Sequence, residues 1–525
     1  MTAEQKKQLQ QKLWDIANEL RGKMAADQFR DYILGLIFYK YLSERMHAHA
    51  NRILGEKYPS FTKIAGHDQE EKLKQAVKTS ALKVLGYYLS PQELFSELAS
   101  RGARDEFILS DLSRVLNHIQ DSTMGTDSEQ DFVGLFEDVD LGHPKLGRTE
   151  GQKNELIAKV IVHLQAINFG VGGDDSHANE ELLGDAYEYL IGQFASGAGK
   201  KAGEFYTPAS VSTVLAKIVT LGKDSVQSVY DPTCGSGSLL LRVAREVTGE
   251  TRPKFYGQEM NRTTFNLARM NMLLHGIHFS DFDIRQEDTL TRPAPEHEDM
   301  QFEAIVANPP FSAKWSAHEV FNTDDRYSQY GRLAPKSKAD FAFVQHMLHH
   351  LDENGTMAVI LPHGVLFRGA AEAHIRKYII KDRNWLDAVI GLPANVFFGT
   401  SIPTTILVFK KCREDQDNIL FVDASEQFEK VGKDNVLRQE HIEKIVDTYA
   451  ARQTVDKLAY LSSLSEIAEN DYNLNIPRYV DTFEPEPVVD LADVRRNLSE
   501  AKASELAADM SIVEFCKELG IEAPL

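Results

Sequence analysis

Cysteine is scarce in this 525-residue chain, with only Cys234, Cys412 and Cys516 present. An odd, widely separated set excludes a disulfide framework and leaves no CxxC pair for zinc. Long apolar runs are missing too. The longest, Tyr32 to Tyr39, has eight residues, whereas a bilayer-spanning helix needs roughly 20, so no membrane association is expected. The amino terminus, MTAEQKKQLQQKLW, lacks the apolar stretch of a secretory signal. The expected location is therefore cytoplasmic. Positive charge is also short, since 58 Lys and Arg face 78 Asp and Glu for a net of −20. Phosphate contacts come from clustered cations, so such a chain cannot grip nucleic acid over its whole surface. Any such role must be local or delegated. Residues 481–525 hold eleven acidic and four basic side chains, a net of −7 and more than a third of the excess.

What is present is an ordinary globular composition, 42% hydrophobic and 26% charged, in a chain longer than one core usually organises. Leu9, Leu13, Ile16 and Leu20 line one helical face, and similar runs cover 29–46, 92–98 and 112–119. The polar stretch GVGGDDSHAN, 170–179, reads as a linker. Beyond it, short β-branched or aromatic runs alternate with helical windows, at 226–230, 254–258, 282–286, 302–307, 356–361, 386–391 and 405–410. This alternation predicts a parallel sheet covered on both faces, with ligands at the carboxyl ends of its strands. After Pro485 the chain turns helical again, with an apolar stripe through Leu491, Val494, Leu498, Leu506, Met510 and Val513 and one register break. That stripe packs either at home or on a partner. The expected domains are a helical 1–175, an α/β 176–484 and an acidic helical tail 485–525.

Candidate chemistry sits at the ends of the predicted strands. Asp231-Pro232-Thr233-Cys234-Gly235-Ser236-Gly237-Ser238 follows the first strand and precedes a helix. Its two glycines permit a tight turn, and the helix start offers free N–H groups to an anionic group. Leu240 replaces the third glycine of GxGxxG, which argues against a dinucleotide enzyme. Glu259 ends the second strand, where a carboxylate can accept both ribose hydroxyls of a nucleoside. Asp288 follows the third and can accept from an adenine amino group. The fourth ends in Asn308-Pro309-Pro310-Phe311. Here the prolines fix an extended turn and free the Pro309 carbonyl beside the Asn308 side-chain oxygen, so two acceptors converge on one planar amine. Phe311 offers a face on which an extruded base can stack. His346, His349 and His350 lack the glutamate of HExxH, so no metal is expected. Cys234 has no neighbouring His or second Cys and reads as a small buried apolar side chain.

DPTCGSG, YGQEMN, QEDTL and NPPF in this order, preceded by EFYTPA at 204–209, resemble the amino-group DNA methyltransferases of the gamma arrangement. LAPKSKADFAFVQHML, GLPANVFFGTSIPTTILVFKK and the helical ends further resemble the modification subunit of type I restriction-modification systems. The resemblance implies a Rossmann-like methyltransferase domain that uses S-adenosylmethionine and acts on the N6 amine of adenine. It places Glu204, Phe205, Tyr206, Thr207, Pro208, Ala209, Gly235, Ser236, Gly237, Ser238 and Glu259 at the cofactor, with Asp231 supporting the loop and Asp288 near the adenine ring. Asn308, Pro309, Pro310 and Phe311 become the catalytic set. The implied partners are DNA, a restriction subunit and a specificity subunit gripped by two copies of this chain. Two other readings are a glutamine side-chain methyltransferase acting on protein, and a silent scaffold.

Overall fold

The computed structural model describes residues 3–18, 26–171, 176–197, 207–249, 251–397, 401–413, 418–432, 434–483 and 490–524. Residues 1–480 form one compact unit and 481–525 another.

The first unit opens with helices α1 (Ala3–Asn18), α2 (Ala26–Leu54), α3 (Glu70–Val84), α4 (Phe95–Gly102), α5 (Leu109–Asp121), α6 (Glu129–Phe132) and α7 (Glu150–Gln165). Leu13 and Ile16 are buried as the α1 periodicity predicts, while Leu20 lies outside the described residues. Helix α8 (Ser176–Gly197) begins inside the stretch 170–179 that reads as a linker. Helix α9 (Ala209–Thr220) follows.

Next come β1 (Ser228–Asp231), α10 (Ser238–Glu246), β2 (Lys254–Glu259), α11 (Arg262–Leu274), β3 (Phe282–Gln286) and β4 (Phe302–Ala307). After these the chain runs through α12 (Asp340–His350), β5 (Leu351–Pro362), α13 (Ala370–Lys377), β6 (Leu386–Gly391), β7 (Thr404–Lys410) and β8 (Asn418–Asp423). The short pair β9 (Glu429–Val431) and β10 (Asp434–Val436) precedes α14 (Gln439–Ala451), β11 (Ala459–Ser463) and α15 (Leu464–Glu469). The main sheet has nine strands in the order β11-β8-β6-β7-β5-β4-β1-β2-β3.

The sheet is mixed, not parallel throughout. Strand β7 lies between β5 and β6 and runs antiparallel to both, and β11 is antiparallel to β8. The reason is connective, since a parallel return needs a crossover of a dozen or more residues, usually a helix, and no helix is described between β6 and β7. Period-two alternation splits the core across the sheet. Ala304 and Val306 of β4 join the apolar cluster that includes α2, α9, α10 and α11, while Ile305 and Ala307 join the one built on α12. The amino-terminal helices are tied onto the first cluster by polar contacts as well. The Tyr41 hydroxyl of α2 donates to the Leu273 carbonyl at 2.8 Å, and buried Arg269 donates to the Gln130 carbonyl at 2.8 Å.

The second unit contains α16 (Leu491–Leu519), one unbroken helix across the position of the predicted register break. Among the described residues of the chain, no helix is long and apolar enough to cross a membrane.

Candidate active site

Strand β1 pairs in parallel with β2 on one side and β4 on the other, and β2 pairs with β3. The connections reverse direction at β1, which opens a crevice at the carboxyl ends of these strands. Asp231, Glu259 and Asn308 sit at the adjacent ends of β1, β2 and β4 for that reason, and Asp288 follows β3.

The loop after β1 is held open by glycine. Gly235 and Gly237 have φ of +55° and +78°, a region that costs residues bearing a Cβ about 1–2 kcal/mol. Gly237 caps α10, whose first residue is Ser238. The Ser236 and Ser238 hydroxyls lie 2.9 Å apart, and Asn271 Nδ2 donates to the Ser236 carbonyl at 2.9 Å. Glu259 braces the same loop, since its carboxylate accepts from the Gly235 N–H at 3.1 Å and the Asn261 N–H at 2.8 Å. Cys234 is buried, and its Sγ would stand 3.1 Å from a Cβ at Gly257, so the strand passes closely over it.

Asp231 is fully buried, and its Oδ1 accepts from the Thr233 N–H at 2.9 Å while Oδ2 has no partner. Burial, with a smaller push from the Glu259 charge, raises its carboxyl from 3.8 to about 8. Burial also raises the Glu259 carboxyl. Asp288 is half-buried, and its two oxygens accept from the Leu290 N–H at 3.1 Å and the Thr291 hydroxyl at 2.6 Å. The turn it shapes is joined to the first loop by the Thr289 hydroxyl, which donates to the Pro232 carbonyl at 2.6 Å.

At the end of β4, Asn308 Nδ2 donates to the Thr207 hydroxyl at 3.0 Å. Its Oδ1 is buried and has no hydrogen-bond partner. Among the described residues no donor reaches the Pro309 carbonyl either. The amide is thus oriented from behind by Thr207, with its acceptor left open. The Phe311 ring is half-buried and meets Phe397 edge-on, with centroids 5.9 Å apart at 79°. Thr207 and Pro208 lead into α9, where the Pro208 carbonyl accepts from Val211 and Ser212, and Ala209 is exposed. Glu204, Phe205 and Tyr206 lie outside the described residues.

Two contributors escape sequence reading. Arg326, 5% exposed, is chelated by Asp324 and donates to the Thr289 and Leu290 carbonyls at 2.9 and 3.1 Å. It ties the segment after Phe311 to the Asp288 turn. The second, Thr207 as the partner of Asn308, is visible only once the strands are assembled. The histidines of α12 do structural work, with His346 bonded to the Tyr230 hydroxyl at 2.9 Å and His350 to the Met300 carbonyl at 2.9 Å. Among the described residues no cluster of three or more His, Cys, Asp or Glu could hold a metal.

Residues 178–487 match the N-6 DNA Methylase family, and residues 9–164 match the HsdM N-terminal domain. The chain is 37% identical to the type I restriction enzyme MpnII methylase subunit of Mycoplasma pneumoniae, over 99% of this chain and 97% of that one. The MjaIX methylase subunit of Methanocaldococcus jannaschii is 27% identical over 90% of this chain and 84% of its own. A crystal structure of the type I restriction-modification methyltransferase subunit from Streptococcus thermophilus aligns with a TM-score of 0.84 and 43% identity, covering 91% of this chain and 100% of that one.

The mixed sheet with its reversed strand and the family model over residues 178–487 together give the class, an N-6 DNA methylase. Similarity along nearly the whole length narrows the class, and the chain belongs to the N-6 DNA methylase family, among the methylase subunits of type I restriction enzymes. That membership disfavours the protein-glutamine and silent-scaffold readings.

The raised Asp231 carboxyl has a pH consequence. A carboxyl with a higher pKa folded than unfolded stabilises fully below the unfolded value and loses that contribution as pH rises through the folded value. Relative to Asp231→Asn, wild-type stability falls between roughly pH 4 and 8, by at most about 1.4 kcal/mol per pH unit. Urea unfolding of both proteins at pH 5 and pH 8 checks this, and a pH-independent difference would mean that Asp231 is not buried as a neutral acid.

Proposed function

We propose that this chain transfers the methyl group of S-adenosylmethionine to the exocyclic N6 amine of adenine in DNA, as the modification subunit of a type I restriction-modification complex. The observation that carries the proposal is the buried, unpartnered Asn308 Oδ1 at the end of β4, next to the strand that delivers Asp231. An unmade hydrogen bond in such a place costs about 1–3 kcal/mol. A substrate N–H recovers it.

The residues present fit the cofactor. Gly235 and Gly237 let the backbone approach a ligand closely, and Glu259 stands where ribose hydroxyls donate to a strand-end carboxylate. Asp231 Oδ2 is a buried polar atom without a partner. Bound S-adenosylmethionine supplies a methyl group activated by its sulfonium charge. The protein acts on the other reactant. Asn308 Oδ1 and the Pro309 carbonyl accept the two N–H bonds of the amine and draw its lone pair out of conjugation with the ring. Pro310 stiffens the turn, and Phe311 offers a stacking face to an extruded base. No covalent enzyme intermediate is needed, and the amine proton leaves once the methylated nitrogen has become acidic. Positioning supplies most of the rate.

DNA recognition is delegated in this proposal. Residues 312–338 beyond Phe311 carry five basic and three acidic side chains, too few net cations for several phosphate contacts. Two copies of this chain around one specificity subunit, joined by a restriction subunit, complete the assembly, with the helical tail 485–525 as a docking surface.

Asn308→Ala is expected to abolish methyl transfer while S-adenosylmethionine affinity, read by calorimetry, stays within a few fold. Loss of cofactor binding in that variant would refute the pocket assignment. Glu259→Ala is expected to weaken the cofactor by about 1.5–3 kcal/mol, the range for hydrogen bonds to a charged group, and an unchanged affinity would remove Glu259 from the site. Deleting residues 485–525 is expected to reduce assembly with the specificity subunit, measured as complex mass by light scattering, and to spare cofactor binding. Undiminished assembly would exclude the tail as a docking surface.

A further inference from the structure

The loop that carries Asn308, Pro309, Pro310 and Phe311 has a distinctive exit. Neither proline can donate a backbone hydrogen bond, so the loop is pinned downstream. Ser312 adopts φ of +50°, a left-handed conformation that disfavours any residue with a Cβ. Its N–H donates to Asp340 Oδ1 at 2.8 Å, and its hydroxyl donates to Asp340 Oδ2 at 3.4 Å. The adjacent backbone closes the same clasp, with the Ala339 N–H donating to the Ala313 carbonyl at 2.8 Å. Asp340 opens α12 from the segment LAPKSKADFAF and is 1% exposed.

A carboxylate so buried needs a counter-charge. Arg368 provides it, since its Nη1 donates to Asp340 Oδ2 at 3.0 Å and to both oxygens of Glu372 at 2.9 and 3.2 Å. Glu372 is itself buried, and burial raises its carboxyl. One guanidinium therefore serves two buried acids from the turn after β5. Gly364 makes room for it, because a Cβ there would stand 2.4 Å from Arg368 Nε. None of these residues belongs to the cofactor loops.

We propose that Asp340, held by Arg368, is a positioning residue that clamps Ser312 and so sets the Asn308–Phe311 loop for the target base. This inference rests on the reading of that loop as the amine-binding site. It predicts a defect in handling DNA with the cofactor site intact, which general destabilisation would not produce.

The test uses the full-length chain in complex with its specificity subunit. Turnover is measured on a duplex with adenine at the methylated position, first mapped by long-read sequencing of cellular DNA, and base extrusion on a second duplex with 2-aminopurine, which has no N6 amine to methylate, at that position. Asp340→Asn keeps an acceptor for Ser312 but faces Arg368 with no charge, whereas Asp340→Ala removes both contacts. Expected are a kcat at least tenfold lower for Asp340→Ala, an intermediate value for Asp340→Asn, and a diminished 2-aminopurine signal. S-adenosylmethionine affinity should stay within twofold. Should both variants fail to bind cofactor because they do not fold, Arg368→Lys decides. It keeps the charge without the fork, and should lower kcat at least threefold while retaining more activity than Arg368→Ala. Wild-type kcat and 2-aminopurine signal, or a fall in cofactor affinity as large as that in kcat, would overturn the inference. Asn308→Ala run in parallel separates the two ideas. If it still methylates, the amine-site reading itself fails. If it is inactive while the Asp340 and Arg368 variants behave as wild type, only the clamp fails.

Discussion

Parallel pairing of β1 with both β2 and β4 is the constraint on which the rest of the site depends. Parallel neighbours end on the same side of a sheet, so residues far apart in sequence are delivered to one crevice by register alone. Asp231 lies opposite Gly257, two residues before Glu259, and Tyr230 lies opposite Ile305, three before Asn308. The loops then need only short braces. Glu259 on Gly235 joins the ends of β2 and β1, Thr289 on Pro232 joins the turn after β3 to the loop after β1, and Thr207 on Asn308 joins the start of α9 to the end of β4. A slip of one residue in β4 would turn Asn308 to the opposite face and leave the Thr207 brace without its partner.

The site stores its specificity as unmet polar demand. Asp231 Oδ2 and Asn308 Oδ1 are buried polar atoms without hydrogen-bond partners in a protein that satisfies most of its interior. Their neighbours explain why the fold tolerates them. Each is half-satisfied through a second atom of the same group, Oδ1 of Asp231 on Thr233 and Nδ2 of Asn308 on Thr207. The side chain is therefore fixed in direction while one acceptor stays available. Free rotation would let each group satisfy itself locally and close the site to a ligand.

Much of this was legible in the sequence where a local signal exists. The runs 282–286, 302–307 and 386–391 form strands over those same residues, the last two short and largely apolar, the first alternating buried Phe282 and Ile284 with polar residues. Strands β8 and β11 went unread. NILFVD is too short to separate from a buried helix turn by periodicity, and AYLSS owes its conformation to antiparallel pairing with β8. The β9–β10 hairpin carries no apolar stripe, since Glu429, Lys430 and Val431 are all exposed. The reversal of β7 is likewise invisible to composition, since strand direction follows from the connection and not from the residues. In the site, the strand-end acids and NPPF announce themselves by chemistry, but Thr207, Arg326 and Asp340 act across 101, 37 and 28 residues of chain. Thr207 and Asp340 fall inside the motifs EFYTPA and KSKADFAF, but neither motif foretells the residue it pairs with, and Arg326 belongs to no motif.

The second unit raises a separate physical question, because its helix has an apolar face without an apolar core. Leu491, Leu506, Met510, Phe515 and Leu519 are each more than 60% exposed. Helices in proteins draw most of their stability from packing such a face, with propensity a minor share. A continuous 29-residue helix that keeps these side chains in water forgoes that source. Its charge bears on what could cover it. The segment's net of −7 repels a polyanion within a Debye length of about 8 Å at physiological salt, which disfavours DNA as the covering surface. An apolar protein face rimmed by Lys and Arg satisfies both demands. This is why the tail belongs with assembly and not with catalysis in the proposed division of labour. In that proposed division the acceptors at the end of β4 act on the base, while sequence choice and phosphate contacts fall to the partner that the tail docks on.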